Sequence, residues 1–207
     1  MNASTPTVYI VDDDEAVRGA LRLLLKSAGY VTAAFDSAHE YLARYSPQQP
    51  GCLVLDVRMP GMSGLGLQQE LNRRGAIIPV IFISGHGDIP MAVEAIQSGA
   101  FDFLQKPFKD QELLNRVARA LASDALLRMQ QIGAASLREL LATLTPREHE
   151  VLTMMVAGKS NKIMAADLSL SQRTVEVHRA RIMDKMRARS LAQLIRMMMV
   201  TEGPPHQ

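Results

Sequence analysis

The sequence has one cysteine and no tryptophan, and aromatic residues make up only 4% of it. A lone Cys52 cannot close an internal disulfide, which excludes a small secreted scaffold held by cross-links. No apolar run approaches the roughly 18 residues of a membrane span, so no membrane partner is expected. The opening residues, Met1-Asn2-Ala3-Ser4-Thr5-Pro6, supply neither the basic nor the apolar segment of a secretory signal. The five histidines never stand beside cysteine at metal-ligand spacing, so no zinc site is expected. No internal repeat is present. What remains is ordinary globular composition, 47% hydrophobic and 21% charged, and a cytoplasmic protein is the expectation. A length of 207 residues allows one large domain or two small ones.

Charge divides the chain. Residues 1–125 carry 11 Lys/Arg against 14 Asp/Glu, a net of −3, and residues 126–207 carry 12 against 7, a net of +5. Halves of opposite sign suggest different partners, and a small basic domain suggests nucleic acid, although ordinary surface variation gives the same imbalance.

The hydrophobic pattern divides it too. Thr7–Val11, Val31–Phe35, Cys52–Asp56, Pro79–Ser84 and Phe101–Leu104 read as strands, and the first, third and fourth are nearly all apolar, as in parallel strands covered on both faces. Between them lie helical patterns at about 15–28, 37–45, 64–74, 88–98 and 110–122. The second of these opens on the capping box Ser37-Ala38-His39-Glu40. Five such units predict a five-stranded, doubly wound parallel sheet, an α/β domain. The fifth helix runs on without Gly or Pro to Gln131, and Gly133-Ala134-Ala135-Ser136 is expected to interrupt it. After Thr143 only helices are predicted. The first is started by Thr145-Pro146-Arg147-Glu148 and ends at Gly158; the others fall at about 161–167, 172–186 and 190–200, and Gly203-Pro204-Pro205 forms a tail.

In an open parallel sheet, functional groups gather at the carboxyl ends of the strands. There this chain has Asp12-Asp13-Asp14, Asp56, Ser84 and Lys106-Pro107. Clustered carboxylates repel one another unless a cation sits among them, and oxygen ligands with waters suit Mg²⁺. Asp56 then reads as a nucleophile forming an aspartyl-phosphate, with Ser84 and Lys106 donating to the phosphoryl oxygens. Taken singly, each residue has an ordinary reading as well, and Asp13 or Asp14 could simply cap the next helix. The joint placement at four strand ends is the signal.

These residues, Val11-Asp12-Asp13, Asp56-Val57-Arg58-Met59-Pro60, Ser84 and Lys106-Pro107-Phe108, resemble the receiver domain of two-component response regulators over residues 6–122. The run Gly85-His86-Gly87-Asp88-Ile89-Pro90-Met91-Ala92-Val93 resembles the FixJ subfamily in particular. The resemblance implies a flavodoxin-like receiver in which Asp56 accepts phosphate from a sensor histidine kinase. It also implies that Asp12, Asp13 and Asp56, with the main-chain carbonyl of Arg58, bind Mg²⁺, and that Phe103 is a switch aromatic. The Lys106–Pro107 bond is commonly cis in such domains, which an X-Pro bond permits at small cost. Asp14 reads as surface or cap.

The C-terminal part has helix-turn-helix spacing. Asn161–Leu168, the turn Ser169–Ser171 and the helix from Gln172 set Val175, Ile182 and Met186 toward a core. Arg173, Val177 and Arg181 lie on the other side, flanked by Thr174, His178 and Lys185. These groups suit phosphates and a thymine methyl, though a solvated basic face gives the same pattern. The segments Leu144-Thr145-Pro146-Arg147-Glu148, Asn161-Lys162, Thr174-Val175-Glu176-Val177-His178 and Lys185-Met186 resemble a LuxR-type (NarL/FixJ) DNA-binding domain over residues 143–201. Residues 123–142 are left as a helical linker. That resemblance implies contacts to double-stranded promoter DNA by Lys162, Arg173, Thr174, Val177, His178, Arg181 and Lys185. Glu176 also faces the groove in relatives, either to read a cytosine or to exclude wrong sequences. The resemblance further implies a homodimer on phosphorylation and RNA polymerase as a partner. The run Met197-Met198-Met199 reads as core and dimer surface.

The expected function is therefore phosphorylation-controlled transcription, not catalysis of turnover. Two rival readings fit the residues less well. An aspartyl-phosphate phosphatase commonly has a second acid two residues after its nucleophile, and Arg58 stands there. A flavodoxin-like cofactor binder needs a phosphate-cradling loop, which Met59-Pro60-Gly61-Met62-Ser63-Gly64 does not provide.

Overall fold

The computed structural model describes residues 5–85 and 89–199. They form two compact units divided between Arg128 and Met129. In the first unit β1 (Thr7–Val11), β2 (Val31–Phe35), β3 (Gly51–Asp56), β4 (Val80–Ser84) and β5 (Asp102–Gln105) make one sheet of order β2-β1-β3-β4-β5, with every pairing parallel. The intervening helices are α1 (Glu15–Ser27), α2 (Ala38–Arg44), α3 (Gly64–Arg73) and α4 (Ile89–Gln97), and α5 begins at Asp110. His86-Gly87-Asp88, part of the FixJ-like run, and Gly203-Pro204-Pro205 lie outside the described residues.

The period of 2 along each strand divides the core in two. Tyr9, Val11, Leu53, Leu55 and Phe82 face one side and pack with α2, α3 and α4 through Tyr41, Leu67, Leu71 and Ala95. Val8, Ile10, Cys52, Val54, Ile81 and Ile83 face the other and pack with α1 and α5 through Leu21, Leu25, Leu113 and Val117. Burial also pushes the Cys52 thiol up to about 12, so it serves as a small apolar side chain and not as a nucleophile. The strand order reverses between β1 and β3, and the crevice at such a reversal is where α/β sheets place their functional groups.

Two expectations about α5 need correction. The helix runs unbroken from Asp110 to Ala142, through Gly133-Ala134-Ala135-Ser136. One glycine costs a helix about 1 kcal/mol, which its good helix-forming neighbours absorb. The stretch assigned to a linker from residue 123 also belongs in part to the sheet domain. Asp124 is buried, accepts the Gly51 N–H at 2.9 Å and pairs with Arg128, which donates to the carbonyls of Pro47 and Gln49. Strand β5 lies one residue later than the pattern suggested, because Phe101 donates its N–H to Val80 O as the chain approaches the sheet.

The second unit is helical. α6 (Pro146–Val156) starts on the capping box of Thr145 and Glu148, and Gly158 follows its end with φ of +73°. α7 (Asn161–Asp167) is capped by Ser160, α8 (Gln172–Lys185) by Ser171, and α9 (Leu191–Met199) completes the unit. Val175, Ile182 and Met186 are fully buried with Val151, Met155, Met164 and Leu194. Leu137, on α5, belongs to this core as well. Met197 and Met198 pack against it and Met199 is exposed.

Candidate functional site

The ends of β1, β3 and β5 meet at one ammonium group. Lys106, just past β5, donates to Asp12 Oδ2 at 2.9 Å and to Asp56 Oδ1 at 3.0 Å. Asp12 is buried at the end of β1, where its other oxygen accepts the Asp14 N–H at 2.9 Å and its carbonyl accepts from Arg18 at 2.8 Å. Asp56 is buried at the end of β3, and its Oδ2 accepts the Arg58 N–H at 2.7 Å. Glycine is required at position 64 for this placement, since a Cβ there would lie 2.2 Å from the Asp56 carbonyl oxygen. Ser84 is buried at the end of β4, and the Lys106–Pro107 peptide is cis. Phe103 is half-buried on β5 against the core that holds Phe82, its register partner on β4.

The electrostatics match a site built for added positive charge. Burial raises the Asp12 carboxyl above its ordinary value, against the pull of Lys106 and of the Asp14 N–H. Burial lowers the Lys106 pKa, but its hydrogen bonds to Asp12 and Asp56 outweigh this and hold the ammonium above its ordinary value. Two buried carboxylates thus share one ammonium, and Asp13, next to Asp12 in the chain, is exposed. Among the described residues no three His, Cys, Asp or Glu side chains stand close enough to enclose an ion. Mg²⁺ keeps most of its shell as water and takes one or two carboxylates, and the hard oxygens of Asp12 and Asp56 fit that demand. Asp14 caps α1 by accepting from the N–H groups of Ala16 and Val17.

The second unit sets out a separate surface. Lys162, Arg173, Glu176, Val177 and Arg181 are exposed on α7 and α8, while Val175 and Ile182 on the opposite side of α8 are fully buried. Ser169, with φ of +55°, turns the chain between the two helices. The Thr174 hydroxyl is bonded to Ser171 Oγ at 2.8 Å, and His178 is half-buried with no partner at Nδ1. Lys185, at the last turn of α8, is paired with a buried acid. Its ammonium lies 2.6 Å from Glu148 and also donates to Thr143 O, and that pairing holds the Glu148 carboxyl at about 2. The Lys185 ammonium is thus engaged within its own domain.

Some working residues carried no motif. Arg18 and the Asp124–Arg128 pair were missed, and the only trace of the latter is an i,i+4 acid–base pair on a helix face that is otherwise apolar.

Comparison with known proteins finds a family for each of the two units. The family described as response regulator receiver domain matches residues 8–118, and that described as bacterial regulatory proteins, luxR family, matches residues 142–198. The chain belongs to the two-component response regulators. Nodulation protein W of Bradyrhizobium diazoefficiens is 50% identical to this response regulator over 190 residues, 92% of this chain and 84% of that protein. Transcriptional regulatory protein FixJ of Azorhizobium caulinodans is 46% identical, covering 96% of this chain and 94% of its own. Among solved structures, response regulator StyR superposes with a TM-score of 0.85 at 45% identity, over 95% of this chain and 99% of that one. Full-length FixJ from B. japonicum gives a TM-score of 0.58 at 38% identity, over 97% and 98%. The family is one of transcription regulators, not of classical enzymes, and its receiver domains bind Mg²⁺ at the acidic site. Among the described residues no helix is long and apolar enough to cross a membrane.

Proposed function

We propose that Asp56 accepts a phosphoryl group from the histidine of a cognate sensor kinase and that this modification controls promoter binding by α7 and α8. The observation that carries the reading is the Lys106 ammonium shared between Asp12 and Asp56, which brings three strand ends to one reaction centre. An Asp56 oxygen attacks phosphorus, the new O–P bond forms, and the N–P bond to the kinase histidine breaks. Lys106 then donates to a phosphoryl oxygen, and the Ser84 hydroxyl at the end of β4 supplies a second donor. Asp12, Asp13 and Asp56 with the Arg58 carbonyl would hold Mg²⁺, which when bound neutralises the phosphoryl charge.

Ser84, drawn toward the phosphoryl group, leaves room that Phe103 fills by turning inward. The surface of α4 and β5 changes with it, and two copies pair there. The dimer lays both α8 helices along one face of promoter DNA, with Arg173, Val177 and Arg181 toward the groove, Lys162 on phosphate, and Thr174 and His178 at the flank. Transcription is regulated in the cytoplasm through contact with RNA polymerase. Footprinting the full chain on candidate promoters, with and without acetyl phosphate and Mg²⁺, tests this. Protection strengthened by the phosphodonor supports it, and identical footprints overturn it.

A further inference from the structure

The sheet register of β1 stops at Val11 on both sides, so the chain leaves the sheet as it enters the acidic loop. There the Asp12 N–H reaches Phe35 O only at 3.4 Å, whereas the Asp12 carbonyl accepts Arg18 Nη1, from α1, at 2.8 Å. Asp13, Asp14 and Glu15 are near neighbours of Arg18 in sequence, yet among the described residues Arg18 makes no ion pair with any acid. Its half-buried guanidinium, a strong charged donor, is given to a backbone oxygen instead.

The rest of the loop is tied by other bonds. The Asp14 N–H donates to Asp12 Oδ1 at 2.9 Å, the Asp14 carboxylate caps α1, and the Asp14 carbonyl accepts the Arg18 N–H at 3.0 Å. Those contacts fix Asp14 and leave the Asp12–Asp13 peptide to the Arg18 guanidinium. A peptide is planar, so holding the Asp12 oxygen also sets the direction in which the Asp13 side chain leaves the chain. Asp13 is exposed and has no hydrogen-bond or ion-pair partner among the described residues. We propose that Arg18 is a positioning residue for divalent-cation binding. It pre-sets the loop so that rotation of the Asp13 side chain, without rearrangement of the backbone, lets that acid join Asp12 and Asp56 at Mg²⁺. The inference rests on the reading of those three acids as the residues that would hold the ion. Charge alone acts in the other direction. A guanidinium repels a cation, so by Coulomb's law its removal tightens Mg²⁺ binding, whereas loss of a positioning bond weakens it.

The test is a titration of the full chain with MgCl₂ at constant ionic strength, followed by ¹H–¹⁵N shifts at residues 12–14 and 56–58. Wild type, Arg18→Met, Arg18→Lys and Asp13→Asn are compared. Methionine keeps an apolar stem and loses every donor, and Mg²⁺ binding should weaken about tenfold. Lysine restores one donor without the planar fork, and the loss should shrink to about threefold. With acetyl phosphate, Arg18→Met should need about tenfold more Mg²⁺ for half-maximal phosphorylation yet reach the wild-type rate at saturation, a split that loss of stability does not produce. Affinity in Arg18→Met equal to or tighter than wild type would overturn the proposal. Where Arg18→Met does not fold, unchanged affinity in Arg18→Lys does so. No saturable shift in the wild type, or Asp13→Asn binding as tightly as the wild type, would instead overturn the Mg²⁺ reading beneath it.

Discussion

The carboxylate of Asp124 accepts the backbone N–H of Gly51 at 2.9 Å, across 73 residues of sequence. The same oxygen takes Arg128 Nε at 2.8 Å, so one acid ties α5 to the floor of the sheet. Nothing larger than glycine fits at position 51, where a Cβ would lie 2.0 Å from the Thr7 carbonyl oxygen.

Removing that acid leaves a buried N–H unpaired and frees a guanidinium that is largely covered. Asp124→Ala should cost the receiver about 2–4 kcal/mol. Urea unfolding of the full chain, followed by probes in each domain, checks it. A loss under about 0.5 kcal/mol would show that apolar packing alone holds α5.

The Glu148–Lys185 pair gives the DNA-binding domain a pH dependence. The Lys185 hydrogen bond and the Thr145 N–H hold the Glu148 carboxyl at about 2, below its ordinary 4.5. A depressed carboxyl stabilises the fold fully above the unfolded value, and that stability is lost as pH falls from about 4.5 toward 2. Glu148→Gln should abolish this acid-dependent component and destabilise the domain by about 1–3 kcal/mol at neutral pH. Thermal melts of wild type and variant across that range make the comparison, and parallel curves would refute it.

At Asp12 the sign is opposite. Burial raises its carboxyl, so the fold is favoured by the neutral form and loses stability as pH rises through that raised value. Asp12→Asn should therefore stabilise the receiver while reducing phosphorylation. A variant that is both less stable and normally phosphorylated would contradict the assignment.

Much of this was legible because its signals are local. Nearly all-apolar strands, acids at strand ends and capped helices mark a parallel α/β sheet and put Asp12, Asp56 and Lys106 at strand ends, which the structure brings to one edge. Interactions between distant segments left no such trace. Gly133 reads as a breaker in isolation, yet the helix continues through it. Lys185 sits on a basic helix and looks like a phosphate contact, but its partner Glu148 is 37 residues away and buried, which no helical periodicity reveals. The Gln68 amide likewise looks like ordinary helix surface until α3 is packed.

Leu137 sets the boundary for separating the DNA-binding domain. A fragment beginning at Met129 keeps this buried residue and should fold and bind, whereas one beginning at Leu140 loses it and about 2–4 kcal/mol. Binding should weaken with salt at a log–log slope of roughly −0.9 per phosphate contact, with half-sites about 10 base pairs apart. Replacing Lys162 should weaken all sequences alike, and replacing Val177 should cost discrimination mainly at one base step. Gel-shift titrations over a salt series check these outcomes. A longer fragment without sequence preference would return α8 to being a solvated basic surface.

The most direct measurement is the intact mass of the full chain after exposure to acetyl phosphate and Mg²⁺, for wild type and for Asp56→Asn. The wild type should gain one phosphoryl group, labile to acid and to hydroxylamine. Asp56→Asn should stay folded, gain none, and leave the promoter footprint unresponsive to the phosphodonor. Undiminished phosphorylation of Asp56→Asn would contradict the account.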